Sequence, residues 1–146
     1  MSAFDVRLQR VVAAPPDVAF HHWVDAESRR SWCAPDEGST VVEAETDLRV
    51  GGSYSFSVVG PTGDPMYRAE GVFEVVDPPH RLVYSSIMQL PDGSSVETRV
   101  TVTFEEREGK TLLTLVDEEY PTQERRDEFE RGWAAFLDAY DHTLAS

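Results

Sequence analysis

At 146 residues the chain is long enough for one domain with its own hydrophobic core, and a core of that size needs no disulfide or metal staple. Lys and Arg number 13 against 27 Asp and Glu, a formal net charge of −14. That balance argues against nucleic acid, whose phosphates require clustered cations, and equally against anionic membrane surfaces.

The single cysteine, Cys33, excludes an internal disulfide and suits a reducing compartment. No stretch approaches the apolar run of about 18 residues that spans a membrane. Met1 to Arg10 lacks the basic-then-apolar pattern of a secretory leader, so a cytoplasmic protein with no membrane partner is expected.

In chain order, Phe4, Val6 and Leu8 alternate with Asp5, Arg7 and Gln9, the period of a half-buried strand. Pro15, Pro16 and Asp17 then suit the start of a helix, on which Val18, Ala19, His22 and Trp23 share a face with Phe20 on its flank. Ala26 to Trp32 reads as a second short helix, ending before Ala34-Pro35. From Thr40 the period changes to two. Val42 and Ala44 carry one strand, and Tyr54, Phe56 and Val58 the next, across a turn at Asp47 to Gly52. Tyr67, Ala69, Gly71, Phe73 and Val75 follow, then Leu82, Tyr84, Ser86 and Met88 after the Asp77-Pro78-Pro79-His80 turn. Beyond Pro91-Asp92-Gly93-Ser94, Val96 to Phe104 alternate again, and Glu108-Gly109-Lys110 closes a hairpin into Leu113 and Leu115. The last stretch, Thr122 to Ser146, is a helix: Phe129, Trp133, Phe136, Leu137, Tyr140 and Leu144 form one continuous apolar stripe. Short connections make the strands an antiparallel meander, and its apolar face needs a cover that only the long helix can supply.

Four stretches of this pattern resemble a known family. They are Val18-Ala19-Phe20-His21-His22-Trp23-Val24-Asp25 continuing to Trp32 and Pro35; Asp47-Leu48-Arg49-Val50-Gly51-Gly52-Ser53-Tyr54; Gly71 with Pro78-Pro79 and Arg81-Leu82-Val83-Tyr84; and Val100-Thr101-Val102-Thr103-Phe104 followed by Gly132-Trp133. Together they are similar to the SRPBCC (START-like) superfamily, and within it to the family named for the activator of the heat-shock protein 90 ATPase. The resemblance implies an α+β helix-grip fold, as in START lipid-transfer domains and the birch-pollen allergen. Residues 1–146 would form one such domain: a curved antiparallel sheet of about six or seven strands around the long C-terminal helix, with two short helices after strand 1. Members of the superfamily bind lipids, steroids or polyketides, and some catalyse cyclisation or hydration.

In such a fold a cavity lies between sheet and helix. The expected lining is Tyr54, Phe56, Tyr67, Phe73, Tyr84, Met88, Val100, Val102, Phe129, Trp133 and Phe136, with Trp23 and Trp32 near one end. Aromatic walls with a few polar tips suit a small hydrophobic or amphipathic molecule, and the three tyrosine hydroxyls are candidates for orienting its oxygens. His22, on the Trp23 face, is the candidate catalytic histidine, whereas His21 points to solvent. Asp117, Glu118 and Glu119 are placed where a strand ends, at the rim of the cavity, where a buried acid would gain a raised pKa. Arg49 pairs with Asp47 or guards the opening. A nucleophilic Cys33 would need a neighbouring base, and adjacent His21 and His22 point apart on a helix, so neither a metal nor a cofactor is expected. The alternatives to ligand binding are a cyclase or hydratase using the same cavity, and a protein-interaction module with a chaperone or a second copy as partner.

Overall fold

The computed structural model of the protein describes residues 4–145; Met1 to Ala3, and Ser146 at the end of the expected last helix, lie outside the described residues. The elements are β1 (Val6–Val12), α1 (Pro16–Val24), α2 (Ala26–Trp32), β2 (Thr40–Thr46), β3 (Ser53–Val59), β4 (Pro65–Asp77), β5 (Arg81–Gln89), β6 (Ser95–Arg107), β7 (Lys110–Glu118) and α3 (Gln123–Ala145). The strands form one seven-stranded sheet in the order β1-β7-β6-β5-β4-β3-β2. Every pairing is antiparallel. Strands β1 and β2 are therefore opposite edges, and α1 and α2 carry the chain from one to the other. The expected α+β helix-grip architecture is the observed one.

Local chemistry sets the helix ends. Pro16 opens α1 where a backbone N–H would lack a partner in any case. Asp25 caps α2 by accepting from the Ser28 N–H at 3.0 Å and its hydroxyl at 2.9 Å. Thr122 caps α3, its hydroxyl oxygen accepting from the Arg125 N–H at 3.1 Å. Among the described residues no helix is long and apolar enough to cross a membrane.

The sheet curls because its strands are interrupted at chosen points. The register of β4 against β5 shifts between Phe73 and Val75, and that of β2 against β3 between Val41 and Glu43. Such bulges bend and twist a strand. They also exchange its faces, which corrects two sequence expectations: Val41 is buried while Val42 stands 52% exposed, and Val76 rather than Val75 packs on the core. Gly71 lies close to the β4 bulge. A Cβ there would fall 1.8 Å from the Ser85 carbonyl oxygen and 2.8 Å from the Tyr54 ring, so only glycine lets β4, β5 and that ring approach so closely.

Helix α1 packs on β6 and β7 and closes one half of the concave face. Its buried side is Ala19, Phe20, Trp23 and Val24, and Val18 turns outward at 46% exposure, against the expected face. The solid core at this end is a ring cluster. Trp23 lies 4.9 Å from Trp32, 5.2 Å from Tyr140 and 6.0 Å from Trp133, the last pair stacked at 11°. Helix α3 crosses over α2 and β1, leaving the other half of the concave face beneath its first turns.

Candidate functional site

Beneath α3, over β3 to β7, lies a cavity of about 190 Å³. Its origin can be read from α3. Of the stripe, only Leu137 and Tyr140 are fully buried; Phe129, Trp133 and Phe136 are half-buried because they face the hollow instead of a solid surface. Of the expected lining, Trp32, Tyr54, Phe56, Tyr67, Tyr84, Met88, Phe129, Trp133 and Phe136 stand in the cavity wall. Trp23, Phe73, Val100 and Val102 do not. Each is at most 1% exposed: the tryptophan is enclosed by rings, Phe73 sits at the β4 bulge, and the valines belong to the strand that α1 covers.

Two buried charged groups also stand in this wall. Arg29 is 2% exposed. On α2 it shares a face with Trp32 and Cys33, three and four residues on, so the packing that buries those two buries the guanidinium as well. Its Nε and Nη2 have no hydrogen-bond partner, and among the described residues no carboxylate pairs with it. What it has instead is the face of Tyr54, with Cζ 4.8 Å from the ring centroid. Such a contact is worth about 1–2 kcal/mol, less than the several kcal/mol that desolvating a charge costs.

Asp117 is also 2% exposed. Strand β7 runs on through Glu118, so Asp117 continues the inward series Thr111, Leu113, Leu115 rather than standing at a rim; Glu118 is half-buried and Glu119 exposed. Its Oδ2 accepts from the Tyr120 hydroxyl and, at 2.8 Å, from Trp133 Nε1, while Oδ1 has no partner. Burial pushes the carboxyl up to about 6, against the polar neighbours Thr98, Tyr120 and Trp133 that pull it down. The cavity thus holds a fixed cation and an acid that titrates near neutrality.

The other candidates take structural parts. His22 pairs with the Thr143 hydroxyl at 2.7 Å and packs 5.2 Å from Tyr140, which ties α1 to α3 outside the cavity. Burial lowers its pKa. The Cys33 thiol does line the cavity, but burial raises it to about 12 and keeps it protonated, which is wrong for a nucleophile. Arg49 is the surface partner of Asp47, Nε to Oδ2 2.9 Å. Of the three tyrosines, Tyr67 donates to the Cys33 carbonyl at 2.6 Å and Tyr84 accepts from Trp23 Nε1 at 3.3 Å, while Tyr54 lies beneath the Arg29 guanidinium. The Tyr67 and Tyr84 hydroxyls hold the wall together. Among the described residues no three His, Cys, Asp or Glu side chains converge as a metal site.

Gly132 lines the cavity in mid-helix, and a Cβ added there would meet nothing within 4 Å. Gly132→Ala is expected to stabilise the protein by about 1 kcal/mol through helix propensity alone, read as a higher thermal midpoint.

The sequence profile of the family described as Activator of Hsp90 ATPase homolog 1-like protein matches residues 13–145. The chain belongs to this family. Solved structures agree with the family's fold. A protein of Chromobacterium violaceum has 23% identity and a TM-score of 0.84, over 98% of this chain and 99% of its own. The AHSA1 protein of Silicibacter pomeroyi has 26% identity and a TM-score of 0.80, over 97% of each chain. DynU16, a protein in the dynemicin biosynthetic locus, has 21% identity and a TM-score of 0.74, over 97% of this chain and 47% of its own. No curated protein matches the chain in sequence.

Proposed function

We propose that the chain binds a small hydrophobic or amphipathic molecule in the cavity between the curved sheet and α3. The observation that carries this reading is the hollow of about 190 Å³ faced by half-buried rings of α3, apolar surface that the fold leaves without a protein partner. Membership of the family agrees with it. A buried free thiol at Cys33 accords with a cytoplasmic setting. The test is a thermal-shift screen of purified protein against lipids, aromatics and polyketides. A ligand at a hundred times its Kd should raise the melting temperature by roughly 5–10 °C. A flat response across the screen would overturn the reading.

One observation favours a second reading, catalysis in the same space. Asp117, with its pKa near 6 and Oδ1 unpartnered, is suited to moving a proton to or from a bound molecule, in place of the histidine expected from the sequence. The chaperone and homodimer alternatives have no comparable observation in their favour.

A further inference from the structure

Hydrophobic packing gives no reason for a buried cation at Arg29. Its guanidinium is surrounded by Tyr54, Phe56 and Trp32, with Cζ 4.8, 5.8 and 5.9 Å from their centroids. Ring faces attract a cation but accept no strong hydrogen bond. The two nitrogens without partners are Nε and Nη2. A guanidinium left short of acceptors in an apolar wall is matched best by an anionic acceptor, and the planar fork of its N–H groups suits a carboxylate. Resting on the cavity-binding reading above, we infer that the ligand is a small carboxylate with an apolar, ring-like body, its carboxylate held by the guanidinium of Arg29.

Size and charge support this class. An apolar cavity of about 150 Å³ accepts benzene, so a space of about 190 Å³ suits one ring with a short acidic side chain. The opposite choice, an aromatic amine drawn to Asp117, meets an obstacle. Arginine stays charged at any pH the protein tolerates, so a cationic ligand would share the cavity with a cation. Asp117 can shed its charge by taking up a proton, and then an anionic ligand meets one cation and a neutral acid. The groups facing Asp117 are Thr98 from β6, Tyr120 before α3 and Trp133 from α3, with Asp5 the further charge near it. Two exposed acids, Asp36 and Glu128, also border the cavity. At physiological salt they act over about 8 Å and slow the entry of an anion more than they weaken its hold.

The test is calorimetric titration of the full chain at neutral pH with hydrocinnamate, its amide and phenylpropylamine, three probes with the same body. Hydrocinnamate should bind roughly tenfold or more tighter than either of the others. Arg29→Gln and Arg29→Met should abolish that preference while amide binding persists, and Arg29→Lys, which keeps the charge but not the fork, should restore only part of it. The wild-type ranking decides even if the variants fold poorly. An amide or amine that matches the acid overturns the carboxylate and leaves the cavity reading standing, as does a broader screen in which only neutral molecules bind. No binding by the three probes or by the screen removes both.

Discussion

Asp117→Asn is expected to make the protein more stable at about pH 8 by roughly 3 kcal/mol, raising its melting temperature by roughly 6–12 °C. The carboxyl's ordinary value is 3.8 and its value in the fold about 6, a gap of about two pH units at about 1.4 kcal/mol each. The direction follows from which state holds the proton. Well below 3.8 both folded and unfolded chains are protonated and the substitution changes little. Between 3.8 and 6 the folded chain keeps a proton that the unfolded chain has lost, so wild-type stability falls as pH rises. Above about 6 the full cost of the buried carboxylate is in place. Asparagine keeps an acceptor for the Tyr120 hydroxyl and Trp133 Nε1 and removes the charge. Melting curves of both proteins from about pH 4 to 8 should therefore separate progressively. Curves that stay parallel would mean that the carboxylate is compensated in a way the structure does not show. The same variant divides the functional readings: binding of a carboxylate should hold or improve, whereas acid–base turnover should drop by about 10²–10⁴-fold.

What could be read from the sequence was whatever one element decides by itself. The offsets from Phe129 to Leu144 place a stripe on α3 whatever it packs against, and the alternation from Val96 to Phe104 gives β6 its inward face. Failures came where a second element has the deciding vote. Val42 and Val75 lost their expected sides to bulges, and a bulge is a relation between two strands. Arg29 was missed because α2 has seven residues, too few for a clear period, and an arginine among them reads as outward until Trp32 and Cys33 define the face. Asp117 carried a signal that went underused. The alternation Thr111, Leu113, Leu115 points residue 117 inward, but a cluster of acids reads as the end of a strand. Hollow and solid could not be told apart at all: Tyr54, Phe73 and Phe136 look alike in sequence, and only the curl of the sheet decides which of them face empty space.

That last distinction has a direct experimental form. Phe73→Ala is expected to cost about 3–5 kcal/mol, and Phe136→Ala, the same change to the same residue type, about 1–2 kcal/mol. Phe73 is 1% exposed, with Tyr54 and Tyr84 at 5.8 and 6.0 Å between ring centroids. Removing it opens a new void in rigid surroundings, where the bulge of β4 leaves little freedom to collapse, so the lost transfer energy and the cavity term add. Phe136 already faces the hollow and is only half-buried, with Trp32, Tyr67 and Trp133 as its ring partners. Its loss enlarges an existing space and forfeits mainly its half-buried area. Urea unfolding of the two variants measures the difference as a shift in midpoint at nearly constant slope. Equal costs would mean that the space beneath α3 is as solid as the rest of the core, and the binding reading would fall with it. If the costs differ as expected, Phe136→Ala should also accept a ligand body about one ring larger than wild type, because the volume it vacates joins the cavity instead of standing apart from it.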